Sequence, residues 1–507
     1  MGSGPAEPTS LGHRVGRAPL PYVAIERSPS GGLVVERGGF GGRPAYVRSK
    51  DGVVLASTDL SWMLEASRER GWSVSFDPDR LASECFFDAG PVGRTQTLFR
   101  EIQEIPPATR ARLLPGLVER VELQPLAVPR LVEENETHRV AHLRALLSAA
   151  IARAVEGAQS VGVLAGGGLD SGALLALAHA RVPRTNAFAI DLESDRPHLA
   201  ALALALGIEP IRAVTADVEL PPRLTTAGLP LTWPSGAMEA HLLRRAHEWG
   251  ASIVLAGLGA DEHFDGHPEA ASLLLASRGV GAAVSAARRY DDAGLRLGLA
   301  RALWPRLRRA VPRGVRHTLR RRHRPSFPAW AGPRSRQVLA DARERALAEE
   351  PWVERTAEER IRDGFVAPHL ARASALRLQL ERLSGTLRID PYLDAELATF
   401  ALGSSPEELF GGGGGGRRGL FREALAGVLP ESLRTRGDKA SFAPVHRALF
   451  CSPLLVRLEA YASVPHLADL GIVEPAAFRR AFDETVAGAP VDARVYAVLA
   501  VEAFLRA

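Results

Sequence analysis

Val161-Gly162-Val163-Leu164-Ala165-Gly166-Gly167-Gly168-Leu169-Asp170-Ser171-Gly172 begins as an apolar run, breaks into three consecutive glycines and closes on an acid and a hydroxyl. The apolar residues read as a buried strand, and Ala173–Ala180 reads as the helix after it. Three glycines let the backbone turn tightly and aim several N–H groups at one anion, to which a helix start adds a partial positive charge. The segment has the makings of a phosphate cradle. Asp170 would repel a phosphate, so its place there points to a Mg²⁺ ion bridging to phosphate oxygens. A tight strand-to-helix turn without a ligand is built from the same residues and stays open as the plainer reading.

The sequence on either side alternates. Val140–Val155 carries Leu143, Leu146, Leu147 and Ile151 at helical spacing, and its end leads into the glycine stretch. Downstream, Ala187–Ile190, Pro210–Val214 and Ser252–Ala256 read as strands, separated by helical text at Leu199–Leu206 and His241–Trp249. Such alternation predicts a parallel sheet with helices on both faces, in which ligands bind beyond the carboxyl ends of the strands. The last of these strands runs into Gly257-Leu258-Gly259-Ala260-Asp261-Glu262, a second glycine turn carrying acids. Asp170 and Asp261 are therefore expected to face one crevice and to share a Mg²⁺ ion that keeps several waters. Capping of a helix by Asp261 and Glu262 is the structural alternative.

A chain of 507 residues has room for two or more domains, and 46% hydrophobic with 24% charged residues is a soluble, globular composition. No apolar run approaches the roughly 18 residues of a membrane span, and the N-terminal text lacks a signal peptide's apolar stretch, so a cytoplasmic location is expected. Cys85 and Cys451 are too few for a disulfide framework or a cysteine-built zinc site. The net charge of +5 comes with 58 interspersed acids and only 6% aromatics, which argues against nucleic acid as a partner. The arginine-crowded stretch Arg301–Arg324 reads as a solvated helical face or as a docking surface for an acidic partner or peptide.

Lysine occurs only at Lys50 and Lys439 among 63 basic residues. A lysine kept against that bias suits a place where a compact, mobile ammonium does what a planar guanidinium cannot. From Tyr22 to about Val121 short β-like runs alternate with turns, as in Leu33–Val35, Ala45–Val47, Gly52–Ala56 and Thr109–Leu114. Pro125–Glu136 reads as a linker, and from Val338 onward the text is mostly helical. The six glycines of Gly411–Gly416 read as a passive tether or as part of a lid.

Together the two glycine turns resemble the asparagine synthetase family of ATP pyrophosphatases, whose signature runs Ser-Gly-Gly-Leu-Asp-Ser and later Gly-Glu-Gly-Ala-Asp-Glu. Pro391-Tyr392-Leu393-Asp394 looks like that family's Pro-Phe-Leu-Asp, and Leu429-Pro430, Arg436, Lys439 and Phe442 look like its Leu-Pro…Arg…Lys…Phe stretch. The similarity covers roughly 139–450. Gly39–Tyr46, Ala56-Ser57 and Thr97–Pro107 are also similar to the family's glutaminase domain. The fold implied is α/β: a degenerate Ntn-glutaminase-like α+β domain over 1–128, then a parallel-sheet synthetase domain of the adenine-nucleotide α-hydrolase type, with added helices, over 139–507. The resemblance implies ATP or pyrophosphate contacts at Ala165, Gly166, Gly167, Gly168, Leu169, Asp170, Ser171, Ile190, Gly257 and Gly259. It further implies Mg²⁺ at Asp170 and Asp261, and catalytic roles for Lys439 and Arg436.

The departures from the family pattern narrow the activity. Family glutaminases use an N-terminal cysteine as nucleophile and base, whereas this sequence begins Met1-Gly2-Ser3-Gly4 and has no cysteine before Cys85. The amine is then expected to arrive with the substrate, as in β-lactam synthetases and in the macrolactam synthetases that cyclise lasso peptides. β-Lactam synthetases carry a Tyr-Glu pair that deprotonates the attacking nitrogen, and those positions fall on Leu258 and Leu387. A peptide α-amine, with a pKa of about 8, needs little help from a base. The resemblance therefore implies a lasso peptide cyclase acting on a linear core peptide, with a leader peptidase and a leader-binding protein of the same pathway as partners. Ring closure of the β-lactam synthetase kind, or a non-catalytic scaffold for a biosynthetic complex, are the alternatives. Gly166 stands where the signature has its first serine, and the Arg436–Lys439 spacing is one residue longer than in asparagine synthetase.

Overall fold

The computed structural model describes residues 12–15, 22–28, 32–38, 43–86, 96–107, 109–114, 117–122, 135–214, 228–233, 236–264, 327–348, 368–404, 418–437, 458–489 and 492–506, with a few isolated residues between them. Lys439, Phe442, Cys451, the Gly411–Gly416 run, the Arg301–Arg324 stretch apart from Pro312 and Val315, and the expected linker up to Glu134 lie outside the described residues.

The N-terminal part is built from β1 (Gly12–Val15), β2 (Val23–Arg27), β3 (Leu33–Arg37), β4 (Tyr46–Lys50), β5 (Val53–Ser57), β6 (Gln103–Glu104), β7 (Thr109–Leu114) and β8 (Leu117–Glu122). They form two antiparallel sheets, ordered β1-β2-β3-β7-β8 and β5-β4-β6. β7 shows why: Thr109, Ala111 and Leu113 are buried while Arg110 and Arg112 are exposed, the period of a half-buried strand. Between β5 and β6 lie α1 (Leu60–Glu69) and α2 (Pro78–Phe86), which the β-like reading of this region did not include. α1 starts where the Asp59 carboxylate accepts from Ser61 N at 2.8 Å, and it buries Leu60, Met63 and Leu64.

The expected parallel sheet is present. It consists of β9 (Val161–Leu164), β10 (Thr185–Ile190), β11 (Ile211–Ala213), β12 (Ile253–Leu255) and β13 (Arg388–Ile389), in the order β11-β10-β9-β12-β13 with every pair parallel. β10 is buried from Thr185 to Ala189, as a strand covered on both faces should be. α3 (Glu136–Ala154), α4 (Leu169–His179), α5 (Arg196–Leu206), α6 (Gly236–Trp249) and α7 (Ala260–Phe264) connect and cover these strands. The chain winds outward from β9 through β10 to β11, then returns to place β12 on the other side of β9. The order thus reverses between β9 and β12, the two strands whose carboxyl ends carry the glycine turns.

One boundary differs from the sequence reading. α4 begins at Leu169 with Gly168 as its N-cap, so Asp170 and Ser171 stand in the first helical turn and not in the loop. The last helices of the chain are not confined to the parallel sheet. Ala493–Arg506 packs on α2, where Val498, Leu499 and Phe504 share one core with Leu81 and Phe86. Phe86 stacks on Trp330 with ring centroids 5.0 Å apart. Among the described residues no helix is long and apolar enough to cross a membrane.

Candidate active site

The first turn leaves β9 at Ala165 and reaches α4 at Gly168. The N-cap of α4 is a glycine and makes no side-chain capping bond, so among the described residues the cap leaves the N–H groups of the first turn unclaimed. The glycines before it are dictated by a neighbour. A Cβ on Gly166 would lie 2.7 Å from Asp195 Oδ2, and one on Gly167 would lie 2.5 Å from the Asp195 carbonyl oxygen. Asp195 cannot easily retreat, because its Oδ1 accepts from Arg436 Nη1 at 2.8 Å and both side chains are buried. The same Nη1 donates to Gly167 O at 2.7 Å. The serine of the family signature is missing at 166 because Asp195 occupies its space. Arg436, expected as a catalytic residue, is engaged here in holding the first turn.

The second turn leaves β12 and enters α7. Gly259 has φ +98, and a Cβ there would lie 2.9 Å from Leu393 Cδ2, so glycine is required on both counts. Leu258 N donates to Asp390 Oδ1 at 3.2 Å, which fastens this turn to the end of β13. Asp261 lies in the first turn of α7. It meets Asp170 through Arg418, whose Nη1 donates to Asp170 Oδ1 and whose Nη2 donates to Asp261 Oδ1.

The helix Gly419–Ala424 sets the place of Arg418, which takes a left-handed φ of +64 as its N-cap. Phe421 of that helix stacks on Phe264 of α7 at 4.8 Å, and Tyr392 closes the trio with centroids 6.0 Å from Phe421 and 6.4 Å from Phe264. Each such pair adds about 0.5–1.5 kcal/mol beyond area burial. Tyr392 also donates its hydroxyl to the Asp170 carbonyl at 2.8 Å. The Pro391-Tyr392-Leu393-Asp394 segment is therefore architectural. Asp394 caps the helix Ala395–Gly403 and accepts from Arg153 at 2.7 Å.

Beside the first turn opens a cavity of about 310 Å³ at the carboxyl ends of β9 and β10. Ala165, Gly166 and Ile190 line it, together with Trp233 and Leu242. Of the other residues expected in the site, Leu169 turns its side chain into the core, so only its backbone belongs to the turn. Ser171 donates its hydroxyl back to Gly168 O at 3.4 Å. A Cβ on Gly257 would lie 3.8 Å from Asp170 Cβ, so the two turns touch.

Two carboxylates converging on one cationic group are a fit for a divalent cation. No cluster of three or more ligating side chains exists among the described residues. That suits Mg²⁺, which takes one or two carboxylates and completes its shell with water and phosphate oxygens.

Three of the titratable groups that depart far from their ordinary values divide by role. Burial lowers His263 to about 3, so it is neutral at physiological pH. Burial raises the Glu381 carboxyl to about 7 against the pull of Arg43, and Asp390 adds to the rise. Arg43 Nη2 pairs with Glu381 at 3.2 Å, joining the N-terminal part to the helix Pro368–Ser384. Cys85 is fully buried and its thiol is pushed up by that burial, which rules it out as a nucleophile. Leu258 is partly buried and Leu387 is exposed, so neither position supplies an ionisable group.

Sequence reasoning missed Arg418, Asp195 and Tyr392 as neighbours of Asp170 and the glycines. Tyr392 lay in a recognised motif without a role, and nothing in the pattern around Arg418 marks it.

A parallel sheet whose switch-point turns bring together an uncapped helix start, two carboxylates and an apolar cavity defines a glycine-loop α/β protein. Residues 142–506 match the family model for asparagine synthase, and the chain belongs to that family. It is similar to proteins of Mycobacterium bovis and Mycobacterium tuberculosis that carry the name "Putative asparagine synthetase (glutamine-hydrolyzing)". Identity to each is 25% over 247 residues, which is 46% of this chain and 37% of the relative. The alignment thus spans little more than a third of those relatives' length.

Proposed function

We propose that this chain is an ATP-dependent, AMP-forming amide ligase that closes a linear peptide into a macrolactam, in the manner of lasso peptide cyclases. The observation that carries the reading is the convergence of Asp170 and Asp261, from two separate turns, beside a cavity at the sheet's switch point.

The cavity takes the adenosine of ATP, and the uncapped start of α4 faces its phosphates with N–H groups. Asp170 and Asp261 would hold Mg²⁺, which when bound neutralises phosphate charge and favours departure of pyrophosphate. A side-chain carboxylate of an Asp or Glu in the peptide attacks the α-phosphorus, and the bond to pyrophosphate breaks. The peptide's N-terminal amine then attacks the acyl carbon of the adenylate, AMP leaves and one proton is released. Arg436 is a positioning residue, keeping the first turn in shape through Gly167 O and Asp195. Lys439, by its match to the family's Arg…Lys stretch, is the residue assigned the point charge that stabilises the developing oxyanion and the leaving phosphate. Such a donor contributes roughly 10²–10³-fold. Leu258 and Leu387 offer no base, which favours an amine that is already partly free at neutral pH.

The test is incubation of the purified chain with ATP, Mg²⁺ and candidate linear peptides, with and without a leader peptidase and a leader-binding protein. AMP formed one-to-one with loss of one water from the peptide, abolished by Asp170→Ala, supports the cyclase. AMP without mass loss leaves adenylation and removes the macrolactam. No AMP with any peptide favours a non-catalytic scaffold.

A further inference from the structure

The cavity wall contains a carboxylate that the two glycine turns do not account for. Asp195 and Glu239 are its acidic lining residues, and they differ in commitment. Asp195 is tied to Arg436 at the phosphate end. Glu239 stands on the first turn of α6, mostly buried, and Oε1 of its carboxylate pairs with Arg388. Arg388 is itself buried and donates onward to Asp390 Oδ1 at 2.8 Å. A carboxylate offers about four acceptor sites and no donor, so one guanidinium leaves capacity toward the cavity. Trp233 lines the same cavity and adds aromatic surface to its wall, with the Arg377 guanidinium over its ring 5.9 Å from the centroid.

We infer that Glu239 reads the nucleobase, accepting a hydrogen bond from the amino group at C6 of a purine seated near Trp233. This rests on the ATP reading above and goes beyond it by assigning base specificity to a side chain. The chemistry is one-sided: a 6-amino purine donates to the carboxylate, whereas a 6-oxo purine sets a carbonyl oxygen against it. A site that leaves a buried charged acceptor unpaired discriminates strongly, here by roughly tenfold to a hundredfold.

The experiment is calorimetric titration of the full chain with the Mg²⁺ complexes of ATP, ITP and purine riboside triphosphate, which lacks the 6-substituent. Wild type is expected to bind ATP at least tenfold more tightly than either analogue. Glu239→Gln keeps an acceptor for Arg388 and gains a donor, so it should close most of the gap between ATP and ITP. Equal wild-type affinities for the three, a comparison that needs no variant, overturn the inference. So does a Glu239→Gln protein with the wild-type ATP-to-ITP ratio. If wild type binds none of the three, the ATP reading itself falls and takes this inference with it.

Discussion

Replacing Arg418 by alanine separates the two roles its position allows, stabilising the cation-free protein and occupying the place of the cation. Arg418 is nearly buried, and its partners differ in exposure, with the Asp170 side chain 21% and that of Asp261 49% accessible. A largely desolvated charge-assisted bond contributes about 1.5–3 kcal/mol. The half-exposed Asp261 contact is screened and contributes at most about 1 kcal/mol. Arg418→Ala should therefore cost about 2–3 kcal/mol in chelator, a fall in Tm of roughly 2–4 °C for a chain of this size. The same energy opposes cation entry in the wild type. The variant should bind Mg²⁺ in the absence of nucleotide roughly 30- to 150-fold more tightly. Thermal melts in chelator and in millimolar Mg²⁺, with calorimetric titration of Mg²⁺, measure both effects. Equal melting temperatures in chelator would refute the stabilising role, and an unchanged Mg²⁺ affinity would refute the idea that guanidinium and cation share one place.

Glu381 predicts a pH dependence of stability. Its carboxyl is raised from 4.5 to about 7 in the folded chain, so between those values the folded state holds a proton the unfolded state has released. Stability from this group is complete below about 4.5 and is lost as pH rises through 7, roughly 3 kcal/mol in all. Glu381→Gln should flatten the decline in urea midpoint between pH 5 and 8, and an unchanged slope would count against it. Gly166→Ser restores the family's serine against Asp195 and should cost about 1–3 kcal/mol through overpacking. Adding Asp195→Ala should relieve part of that cost, read as non-additivity in a double-mutant cycle. Lys439→Arg keeps the charge but not the compact ammonium, and should lower pyrophosphate release by at least tenfold; wild-type turnover would remove the point-charge role.

The parts of the site that were legible in the sequence are those that local pattern encodes. Apolar runs ending in glycine gave β9 and β12 with their turns, and alternation of strand and helix gave a parallel sheet whose switch-point crevice would hold Asp170 and Asp261. β13 escaped because two residues carry no periodicity. Arg418 escaped for a different reason. It reaches Asp170 across 248 positions, and its place is set by Phe421 packing on Phe264 and Tyr392, which no window of sequence contains. Asp195 was invisible in the same way, although the glycine at 166 was its imprint: a departure from the family signature recorded a side chain elsewhere in the fold.

The docking of Ala493–Arg506 on α2 bears on how the protein is made. Translation delivers α2 about 400 residues before the helix that covers it, and at about 5–20 residues per second that interval lasts roughly 20–80 s. Throughout that time Leu81 and Phe86 lack the Val498 and Phe504 side chains that complete their core. The nascent N-terminal part is then a natural client for holdase chaperones. Loss of the last fourteen described residues would leave that apolar face open to self-association while the distant glycine turns remained intact.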